Sequence, residues 1–150
     1  QTLLASPPSA TLPSGQYDFT VISQTDESNW PLNSLRGHTI VQLHLIFHLH
    51  CSETFLAYIQ CFNVSLPPSS SNTTNTAAGM HILKHATQSD GAQVGKVIPL
   101  HYIHSPAHVI PHFGKEANLC LTCHTCYELL NNFWLNKYWN KEFFYVLSLS

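Results

Sequence analysis

The longest regular alternation of apolar and polar positions runs from Thr39 to His50, and the rest of the chain can be read around it. From Val41 to His50, Val41, Leu43, Leu45, Phe47 and Leu49 share one parity and Gln42, His44, His48 and His50 the other, with Ile46 the only breach. A period of two over that length predicts a strand with one buried face. After the polar break Cys51-Ser52-Glu53, the run from Thr54 to Val64 is β-branched and aromatic on both parities and holds no Gly or Pro. It predicts a second strand, buried on both faces, and the two make a long hairpin.

Shorter patterns flank that hairpin. Residues 1–15 are rich in Ser, Pro and Thr and carry no period, which predicts a disordered lead-in to a single β-rich domain over 16–150. Tyr17 to Ile22 alternates and predicts a first strand, followed by a loop in which Trp30 pins the turn. Residues 66–79 are a Ser/Thr/Asn low-complexity stretch, too polar to pack, and predict an exposed insertion. Met80 to His85 predicts a short strand, and Asp90-Gly91 supplies turn chemistry. From Gly95 to Gly114 apolar residues abound, but Pro99, Pro106 and Pro111 exclude a continuous helix. Two short strands with a Pro-marked crossing are expected, and His101, His104, His108 and His112 therefore form no helical stripe. Leu130, Phe133, Trp134 and Tyr138 share helical spacing and predict a short helix over 128–139. Phe133, Trp134, Trp139, Phe143 and Phe144 carry too much apolar area to stay in water and must close over the sheet. The fold class expected is mainly β: a small bent antiparallel sheet or partial barrel with a short C-terminal helix or aromatic lid.

Composition narrows the function classes. Charged residues make up 9% of the 150 and the net charge is −2, so no basic surface for direct nucleic-acid binding is expected. No apolar run approaches the ~20 residues of a membrane helix, and no signal peptide is visible. A chain opening with Gln1 is expected to be processed or a piece of something longer. Five cysteines at irregular spacing suit a reducing compartment better than a disulfide framework. Two sequons, at Asn63 and Asn72, keep an extracellular binding domain as a third reading.

The densest candidate chemistry is Cys120-Leu121-Thr122-Cys123-His124-Thr125-Cys126. It contains the C-x-x-C-H pattern of c-type haem attachment, with Met80 as axial candidate, but the chain lacks the helical pocket such a haem needs. As zinc ligands, Cys120, Cys123 and Cys126 with His124 or His112 would form one knuckle where structural sites commonly use two. The bland alternative is thiols on a loop. His48 and His50 lie about 6.6 Å apart on one strand face, which would suit a metal, yet the polar side of a half-exposed strand accounts for them equally. There is no G-x-S-x-G elbow, no ordered pair of carboxylates and no phosphate-binding Gly-rich loop. No catalysis and no cofactor are expected, with zinc at the cysteine cluster as the alternative.

Five phrases taken together carry a resemblance: Leu35-Arg36-Gly37-His38-Thr39-Ile40-Val41-Gln42-Leu43, Phe55-Leu56-Ala57-Tyr58-Ile59-Gln60-Cys61-Phe62, Gly79-Met80-His81-Ile82-Leu83-Lys84, the Pro-marked stretch from Val97 to Gly114, and Phe133-Trp134-Leu135-Asn136-Lys137-Tyr138-Trp139. From about residue 28 to the end the chain resembles the C-terminal region of Plavaka-type and related transposon-encoded proteins of mushroom-forming fungi. The resemblance implies a non-catalytic structural or interaction module that follows zinc-finger and transposase parts in a longer chain. It implies a protein partner or the remainder of the transposase chain, no membrane, and an intracellular location, the nucleus included. It assigns no catalytic or binding residue. By analogy of strand order, the fold is expected to be similar to a small SH3-like or BAH-like barrel.

The sequence departs from the family pattern in one direction. Arginine is expected near positions 48, 61, 85, 104 and 112, where His48, Cys61, His85, His104 and His112 stand. Arginine's CGN codons become His or Cys by single C-to-T transitions, the change that methylated repeats accumulate. Decay of this kind accounts for one arginine beside eleven histidines. It also predicts that the lost arginines formed a charged outer face and that the remaining imidazoles and thiols converge on nothing.

Overall fold

Alternation at Thr39–His50 and a turn at Cys51–Glu53 do produce a hairpin, and it lies at the middle of the main sheet. The structure is a computed structural model that describes residues 2–23, 35, 37–65, 79–113, 120–122 and 125–148. In chain order the elements are β1 (Ala5–Ser6), β2 (Gln16–Tyr17), β3 (Phe19–Ser23), β4 (His38–His48), β5 (Phe55–Ser65), β6 (His81–His85), β7 (Gly95–Pro99), a 3-10 turn at Leu100–Tyr102, β8 (Ile103–Ala107), β9 (Val109–Pro111), α1 (Cys126–Leu129), β10 (Asn132–Leu135) and α2 (Lys141–Ser148). Every pairing among the described strands is antiparallel.

The main sheet runs β8-β3-β4-β5-β6-β10-β9, with β7 on β5 beside β6. Its two edge strands, β8 and β9, are separated in the chain by His108 alone. One bent segment therefore borders the sheet on both sides, and the open sheet curls into a partial barrel. Register gives the inward face: Phe19 lies opposite Gln42 and Ala107, Val21 opposite Ile40, Phe62 opposite His85, Phe133 opposite Leu83, and Leu135 opposite Val109. Phe19, Val21, Ile40, Phe62, Leu83, Val109, Phe133 and Leu135 form one buried cluster, completed by Phe143 and Leu147 of α2. Asn140 starts α2 by accepting the Phe143 amide on its Oδ1 at 2.8 Å. The barrel is thus plugged by one face of α2, while Phe144 and Tyr145 remain exposed.

On the outward face of β4 and β5 lies a second cluster of Ile22, Val41, Leu43, Ala57, Ile59, Cys61, Ala86 and Ile98. At Cys61 the partner of β5 changes from β7 to β6, and the base of the β6–β7 connection fills the fork. Cys61 donates its amide to Val94 O and accepts from Ala86 N, both at 2.9 Å. The connection turns at Asp90-Gly91, where Asp90 Oδ1 accepts the Ala92 amide and Gly91 has φ +86°. That turn is where the sequence places it.

The structure corrects four expectations. First, β4 does not bury one face along its length. Ile40, Val41, Gln42 and Leu43 are all buried because this half passes between the two clusters, whereas Leu45 and Ile46 are 46% and 39% exposed. The change falls at His44, an extra residue between the pairs Leu43–Ile59 and Leu45–Tyr58, which flips the parity beyond it. Likewise β5 buries Ala57, Ile59, Cys61 and Phe62 but exposes Phe55 and Tyr58. Second, the helix predicted over 128–139 is absent. α1 ends at Leu129, and Asn132–Leu135 is a strand between β6 and β9. Asparagines at 131, 132 and 136 favour helix weakly, and a strand sends both Phe133 and Leu135 into the barrel, each 0% exposed.

Third, the lead-in is not disordered over its described part. Residues 2–17 fold back as an arm in which β1 pairs β2, and Leu3 and Ala5 pack on the outer cluster. Leu4 and Asp18 lock it, Leu4 N donating to Asp18 Oδ2 at 2.8 Å and Asp18 N to Leu4 O at 3.0 Å. The arm returns through Gly15 at φ +70°, where a Cβ would lie 2.6 Å from Ser6 O. Fourth, the five positions read as arginine losses share no outer face: His48 and His112 are exposed, Cys61 is buried, and His85 is wedged between Phe62 and Phe133, ring centroids 4.6 and 5.3 Å away. Most of the insertion at 66–79 lies outside the described residues, as do Trp30 and Asn72. The other sequon, at Asn63, sits within β5 opposite Lys84.

Candidate functional site at the barrel mouth

One end of the barrel opens as a cleft of about 910 Å³, within the size range of small-ligand sites. Its floor is the last inward layer of the sheet, in which Gln42 of β4 faces Gln60 of β5 with Phe19, Ala107 and His85 alongside. A polar pair stands here because the layer is not covered by the apolar cluster beneath it. One wall is the N-terminal arm, through Leu3, Leu12 and Gly15. The opposite wall comes from His108, Tyr127, Glu128 and Trp139.

The His44 bulge aims an imidazole at this cleft. Its ring stacks on Tyr17, centroids 4.3 Å apart, and its Nε2–H donates to Gln42 Oε1 at 3.2 Å. Gln42 Nε2 in turn donates to Tyr17 O at 3.4 Å, so the buried amide is satisfied at both ends. Burial pushes the His44 imidazole below its ordinary value; a hydrogen bond to the Gln60 side chain opposes this and nearby His85 adds to it. His85 is lowered as well, by burial, partly offset because its Nε2–H donates to Tyr127 O at 3.2 Å. Its Nδ1 is buried with no hydrogen-bond partner among the described residues, which also disfavours a charged ring. On the other wall His108 stacks on Trp139 at 4.8 Å and accepts Asn136 Nδ2 on its Nδ1 at 3.1 Å. The Tyr127 hydroxyl donates to Val109 O at 3.0 Å, and burial raises its pKa, with Cys126 adding to the rise.

Beyond the mouth, β4, β5 and β7 run on as a flap. The cross-strand rows Leu45–Tyr58–Val97 and Phe47–Leu56–Pro99 continue the inward face of the barrel past Gln42 and Gln60. No charged side chain interrupts them, and Leu45, Tyr58 and Val97 are all exposed. Gly95 is required at the inner end of β7, since the Tyr58 ring occupies the space a Cβ would take.

The sequence-predicted cysteine site falls only partly within the described residues. Cys120 is exposed and Cys126 is buried at the start of α1, while Cys123 and His124 lie outside the described residues. Thr122 and Thr125 organise that turn, each amide donating to the other's hydroxyl at 3.1 and 3.2 Å. His48 and His50 are exposed near the hairpin tip. No group of three or more His, Cys, Asp or Glu that could hold a metal ion occurs among the described residues. Sequence reasoning missed Gln42, Gln60, Tyr17, Tyr127 and Trp139 as site residues. Gln60 carried a usable signal, as the one amide inside an otherwise apolar run; the others meet only through tertiary structure.

Among the described residues no helix is long and apolar enough to cross a membrane. No curated protein and no solved structure matches the chain. A family model described as Domain of unknown function (DUF6830) matches residues 1–83, which carry the arm, the hairpin and most of β6. That match covers more than half of the sequence, and the chain belongs to the DUF6830 family.

Proposed function

We propose that this domain is a non-catalytic interaction module of a transposon-encoded protein, and that it holds a protein partner at the barrel mouth. One observation carries the reading. The titratable groups on the cleft floor direct their donors onto the protein itself, His44 to Gln42, His85 to the Tyr127 carbonyl and Tyr127 to the Val109 carbonyl. Burial also holds both imidazoles toward their neutral form. A neutral imidazole keeps a lone pair, but a general base needs that lone pair to face a proton it can take, and the lone pair of His85 Nδ1 is buried; a binding surface needs polar groups bonded within the protein, aromatic faces and room. The mouth has the second set.

The transposon context is supported by the five phrases that resemble Plavaka-type C-terminal regions. It would place the domain inside the cell, the nucleus included, as part of a longer transposase chain. Sequencing the locus tests this: transposase reading frames and terminal repeats are expected around it, and codons at His48, Cys61, His85, His104 and His112 should regain CG when one transition is reversed. A locus without either feature contradicts the assignment. Metal analysis of untagged protein is expected to find no stoichiometric zinc; zinc lost on Cys123→Ser would instead favour a metal-binding protein.

The binding role is tested by panning a random peptide library on the purified domain. Enrichment that disappears in Gln60→Lys is expected, and a library that yields no enriched sequence overturns the reading.

A further inference from the structure

The mouth has a sign and the flap a polarity, and together they specify an occupant. Asp18 and Glu128 line the cleft, and no Lys or Arg does so among the described residues. His44 and His85, the imidazoles nearest its floor, do not supply the missing charge, since both are buried against protonation. Trp139 is 44% exposed, with His108 stacked on one face, and so offers an indole at the rim of an acidic cleft. Indole is the strongest aromatic partner for a cation, and guanidinium, planar and with five donors, is the cation best suited to lie on a ring while bonding carboxylate and amide oxygens.

The flap makes the source of that cation a chain rather than a small amine. Its six inward residues, Leu45, Phe47, Leu56, Tyr58, Val97 and Pro99, continue the cleft floor without a step or a charge. A free amine would leave them in water. A segment with apolar residues next to its arginine covers them. We infer that the mouth and flap together receive a segment of a protein partner in which one arginine enters the cleft and the apolar residues beside it lie on the rows Leu45–Tyr58–Val97 and Phe47–Leu56–Pro99. This rests on the interaction-module reading and adds the chemistry of the partner.

Fluorescence anisotropy with labelled synthetic peptides tests it. A short peptide with one arginine followed by alternating leucine and serine is compared with the same peptide carrying glutamate in place of arginine, and free arginine amide serves as competitor. The arginine peptide should bind about tenfold or more tighter than the glutamate peptide, the scale of one charge-assisted hydrogen bond. Glu128→Gln should narrow that gap with an unchanged melting temperature; Asp18 is unsuited to this test because its carboxylate also holds the arm at Leu4. Val97→Ser or Leu45→Ser should weaken the peptide and leave competition by arginine amide unchanged. Equal affinities for the two peptides, no binding of the arginine peptide, or a gap indifferent to Glu128→Gln overturns the inference. So does free arginine amide competing as well as unlabelled peptide, which would make the ligand a small cation. Library panning that enriches acidic or uncharged segments would refute the inference and leave the interaction module standing, whereas no enrichment refutes the module itself.

Discussion

The two halves of the β4–β5 hairpin have similar sequences and opposite surroundings. Both alternate or run apolar, and both are rich in Leu, Ile, Phe and Tyr. From Ile40 to Leu43 and from Ile59 to Phe62 the strands lie between two apolar clusters, and neither face is consistently open to water. Past His44 the same strands leave the barrel, and Leu45, Ile46, Leu49, Phe55 and Tyr58 are exposed. Apolar patterning thus marks where a strand can be covered, and topology decides whether the chain covers it or leaves it for something else. A single inserted residue separates the regimes, because it turns the strand and brings an imidazole to the mouth.

Breaking the inner half should cost most. Phe133→Ala empties a 0% exposed site at the barrel centre and is expected to remove about 3–5 kcal/mol, read as a shifted midpoint in urea denaturation. Acid comes next. The imidazoles of His44, His81 and His85 are all lowered from 6.5, chiefly by burial. Between their folded values and 6.5 the unfolded chain binds more protons, so their contribution is complete above pH 6.5 and fades as pH falls through the folded values. Melting temperature measured from pH 8 to pH 5 should therefore stay level and then decline. A profile that rises on acidification would contradict the burial of these rings.

Smaller effects sharpen the contrast at the rim. Gly15→Ala forces a Cβ onto a φ of +70° and against Ser6 O, and should cost about 1–2 kcal/mol. Most of that loss should appear as faster amide exchange in residues 2–17, with the barrel little changed. On the flap, Leu45→Ser and Val97→Ser should alter stability by no more than about 0.5 kcal/mol, checked by thermal melts. Equal losses at Phe133 and Val97 would erase the distinction between the two regions.

Legibility in the sequence followed the same divide. The hairpin, the Asp90-Gly91 turn and the strand at His81–His85 could be read because each rests on local pattern or turn chemistry. The bulge at His44 could not, since an extra residue in an alternating run shows only as the stray apolar Ile46, two positions on. Phe133 misled because Leu130, Phe133 and Trp134 fit a helical stripe as well as Phe133 and Leu135 fit a strand, and the deciding fact is the pair of strands, β6 and β9, that accept β10 between them. The cleft joins Tyr17, Gln42, Gln60, Tyr127 and Trp139 from five separate stretches, a juxtaposition no single window contains. The cysteine cluster stood out for the opposite reason: its spacing is local and needs no tertiary structure to be noticed, while Cys123 and His124 lie outside the described residues.

Amide hydrogen exchange followed residue by residue along β4 and β5 tests the central distinction most directly. Ile40, Val41 and Phe62 should exchange only through global unfolding, while Ile46 to His48 together with Phe55 and Leu56 should exchange about a hundredfold faster or more through local opening of the flap. Uniform protection from Ile40 to His48 would show that the hairpin is one cooperative core and that its outer half is not a surface set apart for a partner.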